Sequence, residues 1–325
     1  MKSNHLVCLV LAALAGVLPA AEVRVGLVDL DTSRVPSYTK LLNDEHDPKH
    51  VKGARVVAGF PGGSPDIPEH WSRLAGYVAE LKKQGVAIVD SLDELLARVD
   101  AVIVTGSDGR RRLAIAEKTL RARKPLFIDK PLAASLRDVV AIFRLGKELG
   151  VPVGYAESYR YRFMDAAQAA GQGAVGELRG AVSFGPAPRE AHHPDLFWYG
   201  VHTVEALYAV MGRGCESVVR TATENTDVVT GTWRDGRVGT MVGLRNMPGK
   251  SQVTLYGAKG FKSFPSSGRH EILVSEIVAF FRTGKPPVPV DEVIEVYSFM
   301  EAADESKRRG GTTVQLSEVL RQNGG

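Results

Sequence analysis

The sequence has few cysteines and no dense cluster of positive charge. Cysteine occurs twice in 325 residues, at Cys8 and Cys215, so a chain that loses its N-terminal segment cannot form an internal disulfide. Lysine and arginine number 41 against 37 acidic residues, and basic runs such as Arg110-Arg111-Arg112 are short. A hydrophobic core must therefore hold the fold, and we expect no nucleic-acid partner.

The apolar run near the N-terminus is too short to span a bilayer. It covers residues 6–18 behind Lys2 and ends in Pro19-Ala20-Ala21, whereas a membrane helix needs about 20 apolar residues. A basic start, a short apolar stretch and small residues form the pattern of a secretory signal peptide, with an uncleaved anchor as the alternative. We expect removal of residues 1–21, which predicts a periplasmic or secreted protein without membrane contact after cleavage.

Residues 22–153 alternate short apolar runs with helical stretches. Val23–Leu30 and Ala101–Thr105 have the continuous apolar character of buried strands. Leu136–Leu149 has helical spacing and is followed by Gly150, a residue type that commonly ends a helix. Such alternation is typical of a parallel sheet covered by helices on both faces. We therefore predict a Rossmann-like, doubly wound domain of the nucleotide-binding type.

Residues 154–325 have a different pattern. Thr226–Trp233 and Arg237–Leu244 are strand-like and are joined by Asp235-Gly236, a hairpin sequence. A helix is predicted over Tyr199–Met211, and a long helix near the C-terminus. Successive strands with tight turns predict a mostly antiparallel sheet. The predicted fold class is accordingly α/β, the Rossmann-like domain being followed by an α+β domain for substrate binding and oligomerisation with a C-terminal helix.

The turn after the first strand lacks most of the glycines of a dinucleotide site. Such a turn is glycine-rich so that the backbone can approach a pyrophosphate at the N-terminus of the next helix. This sequence keeps only Gly26 and has Asp29 and Asp31 where phosphates should lie, while Thr32 and Ser33 are suited to capping the helix. On these residues alone no nicotinamide cofactor is predicted.

A strand that ends in Ile128-Asp129-Lys130-Pro131 resembles the Glu-Lys-Pro signature of the Gfo/Idh/MocA oxidoreductase family. The resemblance extends from Val23 to Leu320 and is sharper with an exported, planctomycete-type subgroup whose nucleotide-binding loop is degenerate. The stretches that match this subgroup are Asp31-Thr32-Ser33, Gly62–Asp66, Asp108-Gly109-Arg110 and Asp129-Lys130-Pro131.

This resemblance assigns roles to residues of both domains. Lys130 corresponds to the family lysine near the nicotinamide and the substrate hydroxyl, and Asp129 replaces the usual glutamate beside it. His202 matches the catalytic histidine on a helix of the second domain. Trp198 stands where the family aspartate would orient that ring, so Glu205, on the same helix face, is the predicted substitute.

The resemblance also implies a nicotinamide cofactor, NAD or NADP, and hydride transfer between it and the substrate. The candidate cofactor-binding residues are Gly26, Asp31, Thr32, Ser33, Thr105 and Asp129. The substrate would be a sugar, a polyol or a related carbohydrate, whose hydroxyl proton Lys130 and His202 would move. Substrate contacts are expected from Glu157, Arg160 and His193, with an interdomain salt bridge as an equal alternative for Arg160.

An alternative hypothesis keeps the fold and drops the redox step. His193, Asp195, His202 and Glu205 are close in sequence and have side chains that bind zinc or another divalent metal. The protein would then be a NAD-independent carbohydrate lyase, hydrolase or epimerase, with Lys130 as the base. Both hypotheses predict a small-molecule carbohydrate partner and a homo-oligomer. A non-catalytic sugar-binding protein is a weaker hypothesis, because binding alone would not need both Lys130 and His202.

Overall fold

The computed structural model describes residues 22–247, 250–268 and 270–325. The predicted signal peptide, residues 1–21, lies outside the described residues, as does Cys8. Within the described ranges, no helix combines the length and the apolar character needed to cross a membrane.

The first domain is a parallel six-stranded sheet with helices on both faces, as predicted. Its strands are β1 (Val23–Val28), β2 (Ala54–Phe60), β3 (Ala87–Ile88), β4 (Ala101–Val104), β5 (Leu126–Ile128) and β6 (Val153–Tyr155). Its helices are α1 (Arg34–Asn43), α2 (Pro68–Trp71), α3 (Leu74–Lys83), α4 (Leu92–Arg98), α5 (Arg112–Arg121) and α6 (Leu136–Leu149). The strand order is β3-β2-β1-β4-β5-β6, so the chain changes direction across the sheet between β1 and β4. Ligands bind at such a switch point in open α/β sheets.

Local sequence explains where these elements end. The predicted end of α6 is confirmed, because Gly150 adopts a left-handed conformation (φ 61°) that a side chain would disfavour. The predicted strand from Val23 to Leu30 stops instead at Val28, because Asp29 has a positive φ of 61° and turns the chain out of the sheet. β4 likewise ends one residue earlier than predicted, at Val104.

The second domain has a seven-stranded sheet in the order β12-β11-β7-β10-β9-β8-β13. Its strands are β7 (Leu178–Pro186), β8 (Cys215–Ala222), β9 (Thr226–Trp233), β10 (Val238–Leu244), β11 (Gln252–Gly257), β12 (Gly260–Pro265) and β13 (Val314–Gln315). Its helices are α7 (Ser158–Arg162), α8 (Met164–Gly171), α9 (Val201–Met211), α10 (His270–Thr283), α11 (Val290–Arg308) and α12 (Leu316–Gln322). All strand pairs are antiparallel except β7 with β10, which confirms the predicted mostly antiparallel sheet.

Two features of the second domain position the site. The predicted helix over Tyr199–Met211 begins as a single π-helical turn, Leu196–Gly200, and continues as α9. This helix lies against β7 and β10, and most of its residues are buried. On α11, the hydroxyl of Tyr297 accepts a hydrogen bond of 2.6 Å from the backbone N–H of Leu132, just after the signature of β5. The two domains are therefore joined by buried contacts beside the predicted active site.

Candidate active site

A cavity of about 270 Å³ lies between the carboxyl end of the parallel sheet and the first turns of α9. The residues that line it are Thr32, Ser33, Arg34, His70, Arg73, Thr105, Asp129, Lys130, Tyr159, Arg162, Tyr199 and His202. The structure thus brings together Lys130 of the first domain and His202 of the second, which the sequence places 72 positions apart. It also brings four predicted cofactor residues to the wall of this cavity, Thr32, Ser33, Thr105 and Asp129.

His202 is oriented by a carboxylate of its own domain, Glu157, which lies between β6 and α7. Its Nδ1 lies 2.8 Å from Oε1 of Glu157, and both side chains are buried. Burial lowers the pKa of His202 below its usual value, although the charge of Glu157 opposes this effect. Glu157 stays ionised: its burial alone would raise its pKa, but His202 and Arg34 together lower it to about 2. The lowered pKa favours the neutral imidazole, with Nδ1 facing the Glu157 carboxylate and Nε2 on the other side of the ring.

Lys130 lies opposite, on aromatic faces. Its Nζ is 4.4 Å from the ring centre of Tyr199 and 5.8 Å from that of Trp198, a cation–π arrangement. Burial lowers the pKa of Lys130 to about 8, and the nearby Arg34 guanidinium adds to the effect. Asp129 does not pair with Lys130 through its side chain. It accepts a hydrogen bond of 2.7 Å from the Tyr38 hydroxyl, and another of 2.7 Å from the backbone N–H of Lys130.

Sequence reasoning missed His70 and Tyr199 as site residues. Both line the cavity; Tyr199 packs against the edge of His202, and His70 packs against Trp198. The available signal for Tyr199 was its position three residues before His202, which places it one turn away on the same helix. No local pattern distinguished His70. It lies ten residues after the end of the second strand, and the intervening loop brings it to the site.

Three predicted residues have other partners. Glu205 was the predicted partner of His202, but its Oε2 lies 2.5 Å from Nε of Arg160; this prediction is wrong, and Glu157 takes that position. Arg160 also contacts Glu292 at 2.6 Å, so its ion pairs lie within the second domain, not between the domains as the alternative predicted, and it does not line the cavity. His193 lies in a separate contact, accepting a hydrogen bond of 2.9 Å from the backbone N–H of Gly109.

The four candidate metal ligands do not form one group. Asp195 pairs with Arg220 at 2.8 Å and Lys307 at 2.5 Å, while His193, His202 and Glu205 have the separate partners given above. In the part of the chain that the structure describes, no three His, Cys, Asp or Glu side chains come together as a metal site. Closeness in sequence was misleading here, because His193 and Asp195 precede the π-helical turn whereas His202 and Glu205 follow it on α9, and each has its own partner.

The turn after β1 departs from a phosphate-binding turn. Gly26 lies inside β1, where an added Cβ would be 2.5 Å from a methyl group of Leu95; its role is to let α4 pack on the strand, and it is not part of the turn. A dinucleotide fingerprint places glycines at the first, third and sixth residues after the strand. Those positions here are Asp29, Asp31 and Arg34.

The two carboxylates of this turn are buried and satisfied by the chain itself. Asp29 accepts hydrogen bonds from the backbone N–H of Gly63 at 3.0 Å and from Nε of Arg111 at 3.1 Å, and it lies 3.7 Å from Arg112. Asp31 accepts from the backbone N–H and the hydroxyl of Ser107 at 3.1 and 2.9 Å. The space next to the turn is therefore occupied by side chains.

The neighbouring loops close the same groove from the other side. A Cβ on Gly62 would lie 1.9 Å from Oδ1 of Asp29, so the loop after β2 packs directly on that carboxylate. The Ser64 hydroxyl donates to Asp108 at 2.5 Å, and Arg110 forms two hydrogen bonds of 2.9 Å with Asp66. The residues present thus fit neither a pyrophosphate at the turn nor a ligand that extends across it, whereas the Lys130–His202 end of the groove is open.

Comparisons with known proteins agree with this fold. The model of the oxidoreductase family with an NAD-binding Rossmann fold, Gfo/Idh/MocA, matches residues 72–157. An uncharacterized protein of Saccharomyces cerevisiae is 32% identical over 79 residues, which are 23% of this chain and only 22% of that protein's length.

Three solved structures share the fold over nearly the whole chain. An oxidoreductase from Thermotoga maritima has a TM-score of 0.72 at 19% identity, covering 92% of this chain and 100% of that one. An oxidoreductase from Agrobacterium radiobacter in complex with NAD+, L-tartaric acid and magnesium has a TM-score of 0.73 at 16% identity, with coverage of 92% and 100%. Scyllo-inositol dehydrogenase from Lactobacillus casei with bound NAD(H) and scyllo-inositol has a TM-score of 0.71 at 15% identity, with coverage of 91% and 100%.

The chain has a two-domain fold with a lysine and a histidine facing one cavity, and its first domain matches the model of an NAD-binding Rossmann fold. The predicted resemblance to the Gfo/Idh/MocA oxidoreductase family is confirmed to this extent: the family model matches residues 72–157, which include Lys130, and the solved structures share the fold. The exported subgroup stays a prediction.

Proposed function

We propose that this chain is an enzyme that acts on a sugar, a polyol or a related hydroxylated small molecule, with Lys130 and His202 moving the proton at the reacting centre. The observation that carries the proposal is that these two residues face one cavity from two domains. Burial lowers the pKa of both side chains, and this favours their basic, proton-accepting forms. Paired basic groups with perturbed pKa values in a cleft are characteristic of catalytic sites.

Each group has a distinct part in the transfer. His202 is held in one tautomer by Glu157, so that its free nitrogen accepts a proton and the resulting imidazolium is stabilised by that carboxylate. Lys130, with a pKa of about 8, is partly neutral near pH 7 and serves as the second acceptor or, once protonated, as the donor. Tyr159 and Tyr199 flank the imidazole and shield it from water.

The turn after β1, which is filled by the side chains of Asp29 and Asp31 (the filled turn), favours a reaction that needs no dinucleotide. In such a reaction a carbon-bound proton next to a carbonyl or carboxylate passes to one base, and a proton returns to carbon or leaves with a β-substituent. Atoms and electrons then balance without an oxidant, as in an epimerase or a lyase. The support is the pair of buried carboxylates, Asp29 and Asp31, at positions where a phosphate-binding turn needs glycine.

Oxidation of a substrate hydroxyl with NAD or NADP is the second candidate. Its support is the cavity wall formed by Thr32, Ser33, Thr105 and Asp129, at the strand ends where ligands bind in this fold class, together with relatives whose structures hold NAD. The filled turn opposes it, and the proton transfer assigned to Lys130 and His202 does not depend on it.

The deciding experiment combines binding with isotope exchange. Native mass spectrometry and metal analysis of the purified mature protein are followed by calorimetric titration with NAD and NADP, and by NMR of candidate sugars in D2O. Deuterium at a substrate carbon without nucleotide binding supports the cofactor-independent reaction; micromolar nucleotide binding with sugar-dependent reduction supports oxidation. If His202→Ala and the surface control Lys83→Ala behave alike in both assays, the proposal is wrong.

We also propose that the protein is exported and forms homo-oligomers. Export rests on the N-terminal pattern, and N-terminal sequencing of secreted material should begin near Glu22. Oligomerisation rests on the face of the second sheet away from α9, where Val228, Thr230, Thr240 and Val242 are partly exposed side by side. Light scattering that finds a monodisperse monomer would contradict pairing through this face.

A further inference from the structure

The active-site cavity has more cationic than anionic side chains in its wall. Four cations line it, Arg34, Arg73, Lys130 and Arg162, and among the described lining residues Asp129 is the one carboxylate. Glu157 lies behind His202 and adds a second negative charge, while Arg73 is paired at the rim with Glu69 at 2.9 Å. A neutral sugar does not require this excess of positive charge.

The carboxylates near the cavity are already engaged. Nε of Arg34 lies 3.5 Å from Asp129, and its Nη2 is 3.9 Å from Glu157 and donates to the Ser158 hydroxyl at 2.8 Å. These contacts hold Arg34 against the wall. They also leave no carboxylate of the wall to neutralise the two remaining inner cations.

Lys130 and Arg162 are those two cations. Among the described residues neither forms an ion pair: Lys130 lies over Tyr199, and Arg162 donates from Nε to the backbone carbonyl of Ser267 at 3.1 Å. The guanidinium carbon of Arg162 is 4.8 Å from the ring centre of Tyr159. Tyr159 in turn stacks on His202 at 4.7 Å, so Arg162 is one aromatic ring removed from the catalytic imidazole.

His70 provides an independent indication that the cavity binds a polar ligand. It is 4% exposed and lines the cavity, yet neither of its ring nitrogens makes a hydrogen bond of good geometry among the described residues, although the backbone of Asp31 is close enough to act on its pKa. Burial lowers its pKa to about 4, with Lys130 and Arg73 adding to the effect, so the ring is neutral and offers one donor and one acceptor. Buried polar groups are rarely left unpaired, because an unmade hydrogen bond is unfavourable.

We infer that the cavity binds a hydroxylated ligand with one anionic group, which pairs with Arg162 beside His202 while a ligand hydroxyl bonds to His70. The inference rests on the proposed function, because it names the class of substrate for the same site. A planar guanidinium stacked on an aromatic ring suits an oxyanion, whether a carboxylate, a sulfate or a phosphate. Lys130 is thereby left for the reacting centre.

The test is calorimetric binding of four probes to the full mature protein. D-Glucuronate, galactose 6-sulfate and glucose 6-phosphate carry the three anions, and D-glucose is the neutral comparison. We expect at least one anionic probe to bind about tenfold or more tightly than glucose, the effect of one charge-assisted hydrogen bond. The preferred anion identifies which of the three the site accepts.

Substitutions then locate the anion. Arg162→Gln should reduce the affinity of the preferred probe by about tenfold and bring it close to that of glucose. Arg162→Lys should recover part of this loss, and Arg137→Gln, an exposed arginine on α6, should have no effect. His70→Phe, which keeps the packing on Trp198, should weaken anionic and neutral probes equally. Circular dichroism and melting temperature establish that each variant is folded.

Several outcomes would overturn the inference: no anionic probe binds, glucose binds as tightly, or Arg162→Gln and Arg137→Gln are indistinguishable. Tight binding of NAD that depends on Arg162 would also overturn it, by assigning these cations to a dinucleotide. The proposed function fails separately. Anion binding that depends on Arg162, without turnover or deuterium exchange, would contradict the proposed function but support the anion site. Turnover of a neutral sugar that is unaffected by Arg162→Gln would support the proposed function but contradict the anion site.

Discussion

The two ends of the groove at the carboxyl edge of the parallel sheet differ: one is an open cavity, and the other is filled by side chains. At one end, the signature after β5 and the start of α9 keep a lysine and a histidine on an open cavity. At the other end, the turn after β1 is filled by Asp29 and Asp31, each paired within the chain. The same backbone framework therefore holds one site ready for a ligand and has closed the adjacent one.

The comparison shows that the parallel sheet does not depend on the residues of the phosphate-binding turn. Glycines at a phosphate-binding turn serve the ligand, and their replacement leaves the parallel sheet intact as long as the new polar groups are satisfied. The arginines Arg111 and Arg112 meet that condition for Asp29. Burying a charge without such partners would be strongly unfavourable.

The largest effect is expected at the closed end. Asp29→Asn keeps the shape and tolerates the left-handed backbone, but leaves the buried Arg112 without its nearby carboxylate. We expect the free energy of unfolding to fall by about 3 kcal/mol, measured by urea denaturation. Asp93→Asn, which removes an exposed pair with Lys118, should change it by less than about 1 kcal/mol. Equal losses would mean that the filled turn is not a stabilising element.

The next effect concerns the open end. Lys130→Ala and His202→Ala should each lower kcat by about 100-fold, because each removes a group that moves a proton. The assay is steady-state kinetics on the substrate found by the exchange experiment, with Lys83→Ala as the control. A variant that retains near-normal turnover would remove that residue from the mechanism.

A smaller effect separates positioning from catalysis. Glu157→Gln keeps the size of the side chain but removes the charge that faces His202. We expect kcat to fall by about tenfold, with KM little changed. Since the carboxylate raises the pKa of His202 against the lowering by burial, the imidazole pKa followed by NMR should drop further in this variant. An unchanged His202 titration would contradict the role given to Glu157.

The smallest effect is a pH dependence. If Lys130 accepts the proton, its basic form grows as the pH rises through its pKa of about 8, whereas His202, with its lowered pKa, is already neutral. The value of kcat/KM should then rise roughly five- to sixfold between pH 7 and pH 8, and residual activity of Lys130→Ala should lack this rise. A decrease over the same range would assign Lys130 the role of proton donor.

The sequence predicted the framework and the paired residues because their signals are local. Gly150 ends α6 as its position indicates, and Lys130 follows a short apolar strand within one continuous signature. The fold class, with its parallel and mostly antiparallel sheets, follows from patterns of the same kind. His202 was predicted from the resemblance of its helix to the family's histidine-bearing helix.

The partners of these residues were not predictable, because they are set by tertiary contacts. Glu205 was favoured for its spacing of three residues from His202, yet Glu157, 45 positions away, orients the ring. Gly26 was assigned to the turn, although the strand extends two residues beyond it. His70 carried no pattern at all, and only the packing of the loop after β2 brings it into the cavity.

The pairing of Asp29 with two arginines also bears on the order in which substitutions can accumulate. A change of Asp29 to glycine would leave Arg111, 34% exposed, and the fully buried Arg112 without this carboxylate, and a change of either arginine would leave the aspartate with only one of its two cationic partners. Each one-step path toward a glycine-rich turn therefore passes through a less stable protein. We therefore expect Asp29, Arg111 and Arg112 to be exchangeable only as a group, because replacing all three at once avoids an unpaired buried charge.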